Sequence, residues 1–592
     1  MAQTGDHSSG EAGDHPALTA RQVIRLTLSI LAPERSFYTL AIIYGIGISL
    51  LSLATPIAVQ VLINTVAYTG LTAPLIVLSL TLFGLLLASG LLNALRVHLM
   101  EVFARRFYAR MVGHIALRAL YAKNPFFTDA DRGVLFNRYF DIVNVQKAIP
   151  VLFIGGFTVV LQAGVGFVLT SFYHPLFLAF NATVIGLIWV VWLVWGASAI
   201  KTSVAMSQRK HEAAGWVEGI AASNGYFKSD RHVAFALKRT DDATRGWLRA
   251  HRAHFRRYYA QTVSFLLIYA AASAALLGLG GWLVIQGQLS LGQLVAAELV
   301  LSAALYGVSQ LGTYVNYFYD LAAACEELSL FDQVEQEAPR GIEAPKHEDA
   351  TLVFRGVRGQ ARGVPARFDL TIPSGLAVQA VASTHAVQRL FSNLLKRFDE
   401  PQGGQLTLGG DDVTAIEPHL LRREVMVLDR PSVITASVRE YLSLSREDVG
   451  SAEMLEALEV VGLTDTIAEP ACGLDTRLAP TGWPLSQVET MRLKLAGAIL
   501  ARPNVLVLNQ LFDMVPTDCL VRAVRAIQAQ GAGATVIVFT QAERDLGLDG
   551  YLVLTPEHQW LVTEHDRFQD TLRGGLNPQN AQIPPPHPVA AE

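Results

Sequence analysis

Three long stretches of this chain carry no charge. No Asp, Glu, Lys or Arg occurs in residues 36–95, 148–200 or 258–297. Crossing a bilayer takes about 20 apolar residues in a row, and each stretch holds two such lengths. The first divides at a Gly/Thr/Pro turn, residues 69–74, into spans of 37–64 and 74–95. The second divides at His174-Pro175, and the third at Gln286-Gly287-Gln288 into 258–285 and 292–318. Six membrane-spanning helices in three hairpins are expected, and a purely soluble protein is excluded. Composition agrees: 51% of residues are apolar and 17% charged, against roughly 45–50% and 25% in soluble domains.

Basic residues set the expected orientation. The short turns at 65–73, 171–175 and 286–290 contain neither Lys nor Arg, whereas 96–147 and 201–257 are rich in both. The two long segments and both termini are therefore expected in the cytoplasm. Phe103, Phe107, Met111, Ile115 and Ala119 recur at helical spacing, so the spanning helices should continue well beyond the bilayer. Glu298 is the one carboxylate inside a span. Such a charge faces a cavity or a partner, or snorkels to the interface. A substrate-pathway contact and a helix-end carboxylate both fit it.

The net charge of −4 gives no footprint for nucleic acid. Cys325, Cys472 and Cys519 are too scattered for a disulfide framework or a metal site. Residues 1–24 and 573–592 read as disordered tails without a signal-peptide pattern. Residues 25–330 form the membrane domain and 331–348 a linker. From 349 to 572 the chain reads as an α/β domain. Thr351-Leu352-Val353-Phe354 and Phe368-Asp369-Leu370-Thr371-Ile372 alternate like strands. Asn504-Val505-Leu506-Val507-Leu508 and Ala534-Thr535-Val536-Ile537-Val538-Phe539 are continuous apolar runs suited to a buried parallel sheet.

Six spans followed by such a domain resemble the ABC exporter half-transporters. Thr55-Pro56-Ile57-Ala58-Val59-Gln60-Val61 and Leu289-Ser290-Leu291-Gly292-Gln293-Leu294 are similar to the type I secretion branch. The resemblance implies an α-helical membrane bundle of six spans followed by an α/β P-loop NTPase-like domain. The segments 126–139 and 215–226 would be its cytoplasmic coupling regions. Some 35 residues precede the first span, too few for the cysteine-peptidase domain of many branch members, so leader cleavage is not expected.

Each of the family's nucleotide motifs is altered. A phosphate loop needs glycines that let backbone N–H groups wrap the phosphates. It also needs a Lys on the β/γ-phosphates and a Ser/Thr on Mg²⁺. Counted between Gly375 and Pro401, the glycine positions hold Ala382, His385 and Val387. The lysine position holds Gln388 and the hydroxyl position Arg389. Arg389 could offer a phosphate a bidentate contact, but without the backbone cradle. The Walker B acids are replaced by Asn509 and Gln510, which can neither balance Mg²⁺ nor take a proton from water. The glutamine loop falls on Asp429 and the switch histidine on Gln541. The signature reads Leu485, Ser486, Gln487, Val488, Glu489, keeping its Ser but losing its glycines. No adenine-stacking aromatic lies near 359–361, and Gly403-Gly404-Gln405 sits at a strand turn, not before a helix.

The expectation is a pseudo-ATPase, with no catalytic residue and no metal. No cofactor is bound by this chain alone, and ATP with Mg²⁺ enters only through a partner subunit. By resemblance the partner is a second ABC half-transporter, with a heterodimer favoured and a homodimer left open. Membrane lipid surrounds the spans, a periplasmic adaptor would accompany the secretion branch, and the location would be a bacterial inner membrane. A transport subunit and a non-transporting scaffold of an export assembly are the two functional expectations.

Overall fold

The computed structural model describes residues 19–68, 72–123, 132–337, 347–361, 363–468, 473–530, 533–541 and 544–573. The chain forms two compact units, Met1–Glu337 and Ala338–Glu592.

The first unit is helical. Its elements are α1 (Ala20–Leu31), α2 (Arg35–Leu51), α3 (Ala54–Tyr68), α4 (Thr72–Leu120), α5 (Asp141–Pro150), α6 (Phe157–Ser171), α7 (Pro175–Ala222), α8 (Asp230–Ile285) and α9 (Leu291–Ser329). Among the described residues, six helical stretches are long and apolar enough to cross a membrane. The 49 residues of α4 extend about 74 Å at 1.5 Å per residue, far beyond a ~30 Å hydrocarbon core. The continuation of the spans expected from Phe103 to Ile115 is thus real, and Phe103, Phe107, Met111 and Ile115 are all buried.

Glycines let the helices approach closely, as in other membrane bundles. A Cβ on Gly155 would lie 2.6 Å from the Tyr314 ring, and one on Gly312 would lie 2.7 Å from Thr262 Oγ1.

Three details depart from the sequence reading. The first span is two helices, broken between Leu51 and Ala54, where Pro56 supplies no N–H to continue the ladder. Helix α1 begins at Ala20, inside the stretch read as a tail. A Thr19/Gln22 capping box starts it, and Val23, Thr27, Ile30 and Leu31 are buried. Residues 331–337, read as linker, return to the end of α4: Lys123 N–H donates to Glu335 O at 2.8 Å and Glu337 N–H to Tyr121 O at 2.7 Å. Residues 1–18, 338–346 and 574–592, the turn at 69–71 and residues 126–131 of the first coupling segment lie outside the described residues.

The second unit contains β1 (Leu352–Ala361), β2 (Val364–Ile372), β3 (Ala377–Ala382), α10 (His385–Leu395), β4 (Gly403–Leu408), β5 (Asp411–Asp412), α11 (Pro418–Glu424) and β6 (Val425–Leu428). Then come α12 (Val438–Ser443), α13 (Ser451–Val460), α14 (Thr464–Ala468), α15 (Gln487–Ala501), β7 (Val505–Leu508), α16 (Thr517–Gln528), β8 (Thr535–Phe539), β9 (Gly550–Leu554), β10 (Gln559–Val562) and α17 (His565–Arg573).

Strands β2-β1-β4-β5 make an antiparallel sheet. A second sheet has the order β10-β9-β3-β8-β7-β6, parallel except at its β10 edge. The runs at 504–508 and 534–539 are its interior strands β7 and β8, and every residue of both strands is buried. Helix α10 packs between the sheets. Phe391 stacks on Phe354 at 5.0 Å and meets Phe368 and Phe539 edge-on at 5.8 and 6.1 Å.

Candidate functional site

In a parallel α/β sheet, ligands bind outside the carboxyl ends of the strands. Here the chain leaves those ends at Ser383 (β3), Asp429 (β6), Asn509 (β7) and Thr540 (β8). The positions singled out in the phosphate loop, the Walker B pair, the glutamine loop and the switch are brought together there.

The connection from β3 to α10 is only Ser383-Thr384. Thr384 caps the helix, its Oγ1 accepting from Val387 N–H at 3.3 Å. Gln388 N–H donates to Thr384 O at 3.3 Å, and Ser383 N–H is taken by Leu554 O on β9. His385, Val387, Gln388 and Arg389 are thus wound into α10. The N–H groups of Ser383, Val387 and Gln388, three of those that would line an anion cradle, are already satisfied by the fold.

Side chains close the same space. Gln510 Nε2 donates to Gln388 Oε1 at 2.6 Å, and Gln388 is 3% exposed. The two positions read from the sequence as those of the phosphate-loop lysine and the Walker B carboxylate are joined here by a neutral amide pair. Neither group carries charge or accepts a proton at any ordinary pH. Asn509 is similarly engaged: Nδ2 donates to Asp429 O at 3.0 Å, and Oδ1 accepts from Leu511 N–H at 3.1 Å.

Asp429 is bound by Lys396 Nζ at 2.8 Å. Burial pushes the Lys396 ammonium down from its ordinary value, against the pull of Asp429. Lys494, on α15, donates to Arg430 O, and burial lowers it to about 8 while Asp429 opposes the shift. Gln541 is exposed, and its backbone N–H donates to Asp513 Oδ2 at 3.0 Å. Asp513 also accepts from Thr540 Oγ1 at 2.6 Å.

The signature residues stand apart from that group and serve α15. Ser486 is its N-cap: Oγ accepts from Glu489 N–H at 3.3 Å, while Glu489 Oε2 accepts from Ser486 N–H at 2.8 Å. Glu489 Oε1 also accepts from Thr466 Oγ1 at 3.0 Å. The bonds from Ser486, with that from Thr466, hold the Glu489 carboxyl below its usual range. Leu485 is buried, and Gln487 and Val488 form the first turn.

Glu298 lies half-buried on α9, accepting from Ser302 Oγ at 2.8 Å one turn along its own helix. Sequence reasoning missed Lys396, Lys494 and Asp513. Lys494 left a signal, since it stands alone among Leu493, Leu495 and Ala496. Among the described residues no cluster of three or more His, Cys, Asp or Glu could hold a metal ion.

Residues 38–307 match the ABC transporter transmembrane region. The chain superposes on a solved bacterial Atm1-family ABC exporter with ATP bound. The TM-score is 0.76 at 18% identity, covering 90% of this chain and 96% of that one. Residues 38–307 are therefore an ABC transporter transmembrane region, and the protein is an integral membrane protein with the fold of an ABC exporter, membrane-crossing helices followed by an α/β domain.

Among curated relatives, the β-(1→2)glucan export ATP-binding/permease protein NdvA of Agrobacterium fabrum is 26% identical over 348 residues, 56% of this chain and 58% of that protein. The α-hemolysin translocation ATP-binding protein HlyB of Escherichia coli is 24% identical over 309 residues, 50% and 44% of the two chains. The ABC transporter ATP-binding protein YknV of Bacillus subtilis is 21% identical over 546 residues, 88% of each. This chain spans little more than half the length of the glucan exporter it matches.

Proposed function

We propose that this chain is an export subunit whose α/β domain no longer binds or hydrolyses ATP, and that an ATPase-competent half-transporter drives it. The carrying observation is the Gln388–Gln510 amide pair, set against a helix that starts at His385. The first removes the charge and the base. The second removes the backbone cradle. Restoring either alone would leave the other missing.

The six spans and the long helices running past the bilayer remain intact for mechanical work. Two halves of this type pair head to tail, each ATP site joining one half's phosphate loop to the other's signature. A homodimer of this chain has no complete site on that plan, so a heterodimer is favoured. The partner's intact loop would meet Leu485, Ser486, Gln487, Val488 and Glu489, where Glu489 adds negative charge. Its likeness to HlyB and NdvA supports a protein, peptide or glycan as the cargo. Cytoplasmic termini follow from the basic segments; a bacterial inner membrane and a periplasmic adaptor belong to the secretion version of this reading.

The test is ATP binding and turnover by the full chain in lipid, alone and with any half-transporter it captures. Turnover only in the captured complex supports the driven subunit. Turnover by the chain alone overturns it. Silence in both replaces it with the non-transporting scaffold.

A further inference from the structure

The part of α8 that precedes its uncharged span carries a row of arginines. Arg245, Arg249, Arg252 and Arg256 are all exposed, and spacings of 4, 3 and 4 set them on one face of the helix. The opposite face, at His254, Gln261, Phe265 and Ile268, is buried. No Asp or Glu occurs between Asp242 and Glu298, so α8 offers these cations no acid beyond Asp242.

The four are not equivalent. Arg245 Nη2 is paired with Asp241 Oδ2 at 2.7 Å, and Arg249 Nε donates to Arg245 O at 3.3 Å. Among the described residues, neither Arg252 nor Arg256 has a hydrogen-bond or ion-pair partner. Lys201 on α7 is likewise exposed and unpaired. Its neighbour Thr202 meets His254 Nδ1 through Oγ1 at 3.3 Å, which sets Lys201 level with Arg252 and Arg256.

These free cations are the ones nearest the bilayer. Tyr259 and Trp282 are exposed on α8, about 35 Å apart at 1.5 Å per residue. They bracket a ~30 Å hydrocarbon core as interfacial aromatics do. Arg256 lies about 4 Å and Arg252 about 10 Å past Tyr259, in and just beyond a headgroup layer roughly 5–7 Å deep. Phe255, exposed and stacked on Tyr259 at 5.5 Å, stands beside them. Three turns into the span from Arg256, the same face continues as exposed Leu267.

We propose that Lys201, Arg252 and Arg256 form a surface site for anionic phospholipid headgroups of the cytoplasmic leaflet. Basic side chains beside a span draw such lipids across about a Debye length, and an open surface needs no cavity. The position of the free charge selects the occupant. An acidic polypeptide would be met equally well by Arg245 and Arg249 further from the bilayer, but those two are already engaged. The site is independent of ATP chemistry and of the cargo.

The test compares phosphatidylglycerol with phosphatidylcholine on the full chain in neutral detergent, read as lipid retained in native mass spectrometry. Each cation near an anionic surface contributes about fivefold. The wild type should therefore prefer phosphatidylglycerol about a hundredfold at low ionic strength, and much less in high salt. Arg252→Gln/Arg256→Gln should keep only about fivefold. Arg245→Gln, at the paired outer position, should match the wild type. All these side chains are exposed, so each variant should fold, and thermal melting of the same samples checks that.

The proposal is overturned if the wild type shows no preference, if the double variant keeps it in full, or if Arg245→Gln removes as much of it. Polyglutamate binding that needs Arg252 and Arg256, with no lipid preference, would assign the face to an acidic protein segment instead. Loss of a dimer in the double variant, with lipid preference unchanged, would assign it to a second copy of the chain.

Discussion

Replacing Gln388 by Lys and Gln510 by Glu, singly and together, tests both the geometry and the chemistry of the closed site. Gln388 is 3% exposed and bonded to Gln510 at 2.6 Å. Gln388→Lys buries an ammonium without a carboxylate, a loss of about 3 kcal/mol. Gln510→Glu sets a carboxylate against the Gln388 amide at a half-buried position and should cost about 1–2 kcal/mol. The double variant joins the two as an ion pair and should recover about 2 kcal/mol of the sum. For a unit of this size 1 kcal/mol moves Tm by about 2–4 °C. Gln388→Lys should therefore melt roughly 6–12 °C lower, with the double variant well above the additive expectation.

Thermal unfolding in detergent measures the cycle, and ATP turnover by the same samples measures the chemistry. No variant should hydrolyse ATP, because His385, Val387 and Arg389 remain helical. Strict additivity would show that 388 and 510 do not touch. ATP turnover by the double variant would show that only two side chains were missing, refuting the argument from the backbone.

Three further outcomes are expected. Phe391→Ala removes a fully buried ring stacked on Phe354 and should destabilise the α/β unit by about 3–5 kcal/mol, read by thermal melting. Ser486→Ala removes the cap of α15 and should cost about 1 kcal/mol. Because Glu489 lies below its ordinary value, the stability it adds is present above the unfolded carboxyl pKa of ~4.3 and lost on acidification. The variant's deficit should therefore narrow at low pH. His347 Nδ1 meets Glu424 at 3.0 Å and Nε2 meets Asp411 at 3.1 Å. Burial alone would lower this imidazole, but the two carboxylates together raise it. Its contribution is complete below the unfolded pKa of ~6.5 and disappears as pH rises through the folded value. Wild-type Tm should fall across that window, and His347→Gln should abolish the dependence.

Much of the architecture was legible because it rests on local composition. Charge-free runs of 40–60 residues, such as 36–95, can do little but cross a membrane twice. The runs at 504–508 and 534–539 are apolar on both faces, which suits only a strand covered on both sides. The break before Pro56 and the edge pair β9–β10 were harder to see. Nothing in the sequence marked Asp429 as the partner of Lys396 or Gln510 as the partner of Gln388, since those residues lie 33 and 122 positions apart.

The sequence by itself determined the membrane span count, the order of the two units, and the chemistry of the residues that stand where the nucleotide motifs were read. A side chain's chemistry does not depend on where it ends up. Only the tertiary structure decided what those residues do instead: the neutral pair at 388 and 510, the cap made by Ser486 and Glu489, and the helix that occupies the loop. It alone also buried Arg96 against Thr158 and Asn93. The physical reason is that burial and partnering are set by elements distant in sequence, and a charge reveals its need for a counter-ion only once its neighbours are fixed.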